Sequence, residues 1–246
     1  TPIDGRSLLV RTGALDTCEI DPATRTARVG AGVRWQRVIE AAAQFGLAPL
    51  CGSAPGVGVA GFLSGGGIGP LVRSVGVSSD YVRAIEMVTG DGLVRRVSAD
   101  ADPDLFWGCR GGKATLGIVT ELEIELLPIA EFYGGAVYFD GADAAAVLAA
   151  WQRWTQDLPR EASTSIALLR LPDMPGVPPM LAGKVTVAVR YASVADAETA
   201  ASTFAPMRAV ATPILDAVGT MPYAAVGMIH ADPTDPMPAY ENGMLL

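Results

Sequence analysis

Leu122, Ile124 and Leu126 alternate with Glu121, Glu123 and Glu125. A period of two predicts a strand with one buried face and one carboxylate face in water. Ser7–Arg11, Thr17–Ile20 and Arg25–Ala31 also read as strands. The turn chemistry of Asp21-Pro22-Ala23-Thr24 joins the last two into a hairpin. Trp35, Val38, Ile39 and Ala42 recur at i, i+3, i+4 and i+7, the stripe of a helix with one buried face, and Gly46 suits its left-handed exit. Tyr81–Val88 and Leu93–Val97 flank Asp91-Gly92, a hairpin turn. Asp102 before Pro103 predicts a capped short helix through Trp107.

Beyond Phe132 the order becomes strand, helix, strand, strand, helix, strand. Tyr133–Phe139, Thr164–Leu171, Lys184–Tyr191 and Arg208–Ile214 are the strands. A helix over Asp143–Leu158 carries Val147, Trp151, Trp154 and Leu158 on one face, which favours core burial of both tryptophans over a substrate wall. Ser193 with Asp196 forms a capping box for the helix ending at Phe204. The tail from Met221 is rich in Pro and Gly and lacks periodicity. A boundary near residue 130 divides an α+β chain into residues 1–130 and 131–246.

Between Cys51 and Asp80 the pattern is different. Glycines at 52, 56, 58, 61, 65, 66, 67, 69 and 76 are interleaved with Val57, Val59, Phe62, Leu63 and Ile68. Such glycine density costs conformational entropy, and a flexible linker would not carry that apolar surface. The stretch therefore predicts a folded loop whose backbone approaches a ligand.

Composition narrows the chemistry. Half of the 246 residues are hydrophobic and the formal net charge is −8, so neither nucleic acid nor an anionic membrane surface is an expected partner. No apolar run is long enough for a transmembrane helix. Cys18, Cys51 and Cys109 lack CxxC spacing and suggest a reducing, cytoplasmic setting rather than a disulfide framework. With His230 as the one histidine, neither a zinc site nor a Ser-His-Asp hydrolase is supported. His230 itself reads as an ordinary loop histidine.

Three loop types compete for the glycines. A phosphate-binding P-loop needs Gly-Lys-Ser/Thr, which does not occur in that register. Gly56-Val57-Gly58-Val59-Ala60-Gly61 spells the dinucleotide fingerprint, but Ala54-Pro55 precedes it where a buried strand belongs. A flavin-type loop, in which successive amides line the cofactor, is the third.

Several ordered motifs favour the third type. They are Ala31-Gly32-Val33-Arg34-Trp35, Gly52 through Gly61, Gly65-Gly66-Gly67-Ile68-Gly69, Arg73, Gly76 and Asp80, followed by Val88 through Gly92, Asp104 through Trp107, Arg110-Gly111-Gly112 and Gly117 through Thr120. In that order and spacing the chain resembles the berberine bridge enzyme-like FAD-linked oxidases of the vanillyl-alcohol oxidase superfamily, with a PCMH-type FAD-binding domain. The resemblance runs over about residues 8 to 135 and continues more weakly beyond.

The resemblance implies an FAD subdomain followed by part of a substrate domain with an antiparallel sheet. It implies hydride transfer from an alcohol, sugar or secondary-metabolite C–H to the flavin, with O₂ as acceptor, the protein supplying orientation and electrostatics. Carried over by position, the cofactor-binding residues are Gly52, Ser53, Val57, Gly58, Val59, Gly61, Phe62, Gly65, Gly66 and Gly69, with Gly117, Ile118 and Val119 beside the adenosine part. No catalytic residue and no metal ligand are assigned. Ala54 stands where some members have a flavin-linked Cys, so no thioether bond is expected; Cys51 lies three residues too early and reads as a structural thiol. Phe62 stands where some relatives have His. The family's first phosphate loop, with its flavin-linked His, would precede Thr1, and its last segment would follow Leu246. The alternatives are a non-catalytic remnant or interaction domain of the same fold, and an NAD-dependent dehydrogenase.

Overall fold

The computed structural model describes residue 5, residues 8–113 and residues 115–233. Two antiparallel sheets organise the chain. The first has the strand order β1-β2-β5-β3-β4, formed by β1 (Cys18–Asp21), β2 (Thr26–Gly30), β5 (Gly117–Glu125), β3 (Val82–Thr89) and β4 (Val94–Ser98). Both predicted hairpins are present: Asp21 pairs with Thr26, and Val88 pairs with Val94 across a turn where Gly92 takes φ +79°.

The period of two in β5 sorts its faces as expected. Leu122 and Ile124 are buried with Ala27, Val29 and Ile85. On the opposite face Glu121, Glu123 and Glu125 each meet an arginine: Arg28, Arg96 and Arg83. Helix α1 (Trp35–Ala43) buries all four stripe residues, and Gly46 follows it at φ +67°. Two short helices, α2 (Val59–Ser64) and α3 (Val72–Val75), lie within the Gly-rich stretch, and α4 (Pro103–Cys109) follows β4.

The second sheet has the order β10-β6-β8-β7, from β10 (Gly219–Pro222), β6 (Glu131–Asp140), β8 (Val185–Ser193) and β7 (Ala162–Arg170), with β9 (Leu215–Asp216) also on β6. Helices α5 (Ala144–Trp154) and α6 (Ala197–Arg208) cover one face, packing Val147, Phe204 and Met207 onto Val137, Phe139, Val187, Val189 and Tyr191. Trp151 Nε1 donates to Thr164 Oγ1 and Trp154 Nε1 to the Thr203 carbonyl, so both tryptophans belong to this core.

Several expectations are corrected. Leu8–Arg11 is not a strand: no partner strand takes up its backbone, and Leu8 is 88% exposed. Asp102 sits at the N-cap of α4 but in a left-handed conformation, and its side chain caps nothing. The helix after β8 starts at Asp196, whose carboxylate accepts from Thr199 N; Ser193 instead accepts from Ala195 N. That helix continues through Pro206 to Arg208, displacing the strand expected over Arg208–Ile214. The tail as far as Pro233 is also more ordered than its composition suggested; residues 234–246 lie outside the described residues. After β10, a 3-10 segment (Tyr223–Ile229) buries Tyr223, Val226 and Ile229, and these join the core of the first sheet together with Phe132 and Ala192.

Candidate functional site

The Gly-rich stretch forms a groove on one flank of the first sheet. Gly58 begins α2 with no side-chain cap, so the orphan amides of the first turn depend on other partners; Val59 N finds the Val33 carbonyl at 3.0 Å. The groove, of about 510 Å³, is lined by Val57, Gly58, Gly61, Phe62, Gly65, Gly67, Ile68 and Lys113. A side chain placed on Gly61 or Gly66 would meet nothing within 4 Å, whereas one on Gly67 would strike the Phe62 ring and Ser78. The first pair leaves backbone open to a ligand; the latter keeps the loop closed on itself. Gly67 and Gly66 adopt φ +76° and +97°, values that L side chains rarely take.

The cofactor residues read from the sequence do not all fall in one place. Val57, Gly58, Gly61, Phe62 and Gly65 line the groove, with Gly66 at its turn. Ser53 and Gly69 open instead onto a neighbouring cavity between the two sheets. Gly52 carries the Phe62 ring against its Cα, and Val59 points its side chain into the core, so each could offer only backbone. Gly117, Ile118 and Val119 start β5, with Ile118 exposed and Val119 packed against the core beside Ala60 and Leu63. Lys113, at φ +61°, is a groove residue that sequence reading missed. Its Nζ lies 2.7 Å from where a Cβ on Gly65 would fall, and an ammonium there suits an anionic group.

The inter-sheet cavity, about 220 Å³, is lined from the loop side by Ser53, Ile68, Gly69, Pro70, Val72 and Arg73. Ser163, Ser165, Arg190 and Ala192 face it from β7 and β8, and Ile229 and His230 from the tail. Strand register accounts for this wall. Ser163 pairs with Ala192 and Ser165 with Arg190, so all four side chains share the face opposite the helices. Gly134 and Ala136 of β6 continue that face, giving a floor of small side chains interrupted by Arg190.

His230, read from the sequence as an ordinary loop histidine, lines this cavity. Its Nε2 is 3.4 Å from Ser165 Oγ, and its buried Nδ1 has no hydrogen-bond partner. Burial lowers its pKa, the Arg190 charge adds to this, and Asp232 partly offsets it, so the imidazole is held neutral. Asp232 is itself engaged, accepting from Ser53 Oγ at 2.6 Å. A lone histidine in a Pro-rich segment carries no signal of this placement; only the buried period of Tyr223, Val226 and Ile229 could have suggested that the tail returns to the site. Among the described residues no group of three or more His, Cys, Asp or Glu could hold a metal ion, and no helix is long and apolar enough to cross a membrane.

Cys51 lies behind the loop. It is buried, 3.6 Å from Tyr223 Oη, and burial pushes its thiol up to about 11. Structurally it is a core group.

Comparison with known proteins agrees with this geometry. Residues 2–98 match the family described as FAD binding domain. The (R)-6-hydroxynicotine oxidase of Paenarthrobacter nicotinovorans is 39% identical over 112 residues, 46% of this chain and 24% of that protein. The FAD-linked oxidoreductase pytB of Aspergillus terreus is 36% identical over 124 residues, 50% of this chain and 15% of that protein. Among solved structures, 6-hydroxy-D-nicotine oxidase from Arthrobacter nicotinovorans superposes with a TM-score of 0.77 at 25% identity, over 88% of this chain and 47% of that one. A berberine bridge enzyme-like protein of Physcomitrella patens shares the fold, with a TM-score of 0.72 at 20% identity over 92% of this chain and 47% of that one. The chain spans about half the length of these solved relatives.

Proposed function

We propose, from the match of residues 2–98 to the FAD binding domain family, that the protein is an FAD-dependent oxidoreductase acting on a small organic substrate. The open glycine groove beside a cavity between the two sheets is the observation that carries the reading. FAD, when bound, supplies hydride acceptance from a substrate C–H bond and later reoxidation, for which O₂ is the proposed acceptor.

The chain's own residues divide the remaining work. Gly58, Gly61, Gly65 and Gly66 keep the groove free of side chains so that backbone amides can reach an anionic cofactor. Lys113 supplies the positive charge at the groove. Gly52, Ser53, Val57, Val59, Phe62 and Gly69 complete the proposed flavin contacts, and Gly117, Ile118 and Val119 the adenosine end. The second sheet supplies the substrate wall, which fits a division into residues 1–130 for the cofactor and 131–246 for the substrate. Neutral His230, with its open Nδ1, can accept a proton from a substrate O–H or N–H.

Purification of the full-length gene product tests the proposal. Flavin absorption in the visible, present as isolated or after incubation with FAD, is the expected result. A colourless protein that takes up no FAD points instead to a remnant that keeps the fold without the cofactor.

A further inference from the structure

Arg190 and Arg110 are the two arginines among the described residues whose Nε is buried without a hydrogen-bond partner; Arg110 lies over the Phe106 ring, whereas Arg190 lines the inter-sheet cavity. Arg28, Arg37, Arg83, Arg95, Arg96 and Arg208 each meet a carboxylate. Arg73 gives its guanidinium to main-chain carbonyls, and Arg34 donates to the Gly56 carbonyl. Arg190 has no carboxylate within 4.0 Å among the described residues, and its Nε is buried without a hydrogen-bond partner. It projects from the middle of β8 into the inter-sheet cavity, on a floor otherwise built of Gly, Ala and Ser.

A guanidinium keeps its charge at any physiological pH; Arg190 is partly buried, and leaving its buried Nε without a partner is costly. Its neighbours do not supply one. Ser165 sits directly opposite in the strand register, and burial keeps Tyr138 protonated. His230 is neutral, and Asp232 accepts from Ser53. Ser163 Oγ, on the same wall, is another buried polar atom with no partner. Thus a fixed cation and an unused hydroxyl line one small cavity whose other walls include the apolar Ile68, Pro70, Val72 and Ile229.

We propose that this cavity takes a substrate bearing a carboxylate, which Arg190 anchors through its planar fork while Ser163 donates a further hydrogen bond. The proposal rests on the oxidoreductase reading and adds the substrate class. A guanidinium matches two carboxylate oxygens at once, and the apolar walls leave room for a compact hydrocarbon or aromatic body. Arg73, on the loop side, adds positive potential at the mouth of the same cavity.

Benzoate and its neutral counterpart benzyl alcohol are suitable probes, because they share a ring and differ in charge. Each is titrated into the FAD-bound full-length protein by calorimetry, alongside the flavin absorption spectrum. Benzoate should bind saturably, more tightly than benzyl alcohol. Arg190→Met should weaken benzoate about 10-fold or more, as expected for loss of a charge-assisted pair, while leaving benzyl alcohol unchanged. Arg190→Lys keeps the charge without the fork, should fold if the methionine variant does not, and should fall between the two. Failure of benzoate to bind, equal affinity for the neutral alcohol, or undiminished benzoate binding by Arg190→Met and Arg190→Lys overturns the proposal. A yellow protein that ignores benzoate overturns this inference alone, whereas a colourless one overturns the oxidoreductase reading. If Arg190 served the cofactor instead, Arg190→Met would shift the flavin spectrum without ligand and leave benzoate binding intact.

Discussion

Arg73, in the short helix that follows the glycines, donates from Nη1 to the Ala162 carbonyl at 2.7 Å, at the start of a strand in the other sheet. The same guanidinium reaches the Leu158 carbonyl at 3.1 Å and the Pro159 carbonyl at 3.3 Å. One side chain thereby fixes the loop's position against the second sheet. Lysine has the charge but not the fork, so it cannot reach three carbonyls in one plane.

Arg73→Ala should therefore destabilise the protein by about 1–3 kcal/mol, the range for losing hydrogen bonds to a charged group. Thermal unfolding followed by circular dichroism would show a midpoint lower by several degrees, with Arg73→Lys recovering only part. An unchanged midpoint in Arg73→Ala would mean that the two sheets hold their positions without this contact.

Gly61 and Gly67 make opposite predictions although both stand in the same loop. A methyl at Gly61 enters open groove, and the residue lies inside a helix, where Ala is favoured over Gly by up to about 1 kcal/mol. Gly61→Ala should keep or raise the unfolding midpoint while reducing FAD retention. Gly67→Ala adds a methyl against Phe62 and Ser78 at φ +76°, and should lose about 1–3 kcal/mol of stability from overpacking alone. Parallel measurement of midpoint and bound flavin in the two variants separates the roles. Retention of FAD by a well-folded Gly61→Ala protein would remove Gly61 from the cofactor surface.

How much of this was legible beforehand depended on range. The alternation in Leu122, Ile124 and Leu126 and the stripe on Trp35, Val38, Ile39 and Ala42 are local patterns, and the structure follows them. The helix ending at Arg208 overran its expected stop because Pro206 lies in the last turn, where Phe204 and Met207 still have core to pack against. Packing won over propensity there. The Gly-rich stretch was legible as a folded loop because the apolar residues between its glycines need a core, which Val59 and Leu63 find. The lining of the inter-sheet cavity was not. Arg190 and Ser163 come together through pairing between two strands, and His230 arrives through a tail whose sequence looks irregular.

Cys51 and Tyr223 form a buried contact between the start of the loop and the returning tail. Tyr223 Oη donates to the Pro49 carbonyl, and burial raises the Tyr223 pKa well above its ordinary value. With its own pKa at about 11 and almost no exposure, Cys51 is protonated and shielded at neutral pH. Native protein treated with iodoacetamide at pH 8 should be alkylated at the partly exposed Cys18 well before Cys51 or Cys109, as read by peptide mass spectrometry. Tyr223→Phe removes the hydroxyl that satisfies the Pro49 carbonyl, and should cost about 1–3 kcal/mol while speeding Cys51 labelling. Cys51 labelling as fast as Cys18 in the unmodified protein would contradict the packed tail.

His230 makes folding depend on pH in a defined direction. Its pKa is depressed in the folded protein, by burial first and then by Arg190, with Asp232 opposing. Over the interval below the ordinary histidine value near ~6.5, the unfolded chain therefore binds a proton that the native one does not. Stability is fully present above that value and falls as pH drops toward the depressed folded pKa, with a slope of at most ~1.4 kcal/mol per pH unit from this group. His230→Gln cannot titrate and can still hydrogen-bond to Ser165. Urea unfolding at pH 7.5, 6.5 and 5.5 should show the original protein losing more stability than the variant across the lower step, with the two nearly parallel across the upper one. Equal losses in both proteins would mean that His230 titrates as it does in the unfolded chain, and that its burial beside Arg190 does not disfavour the charged imidazole.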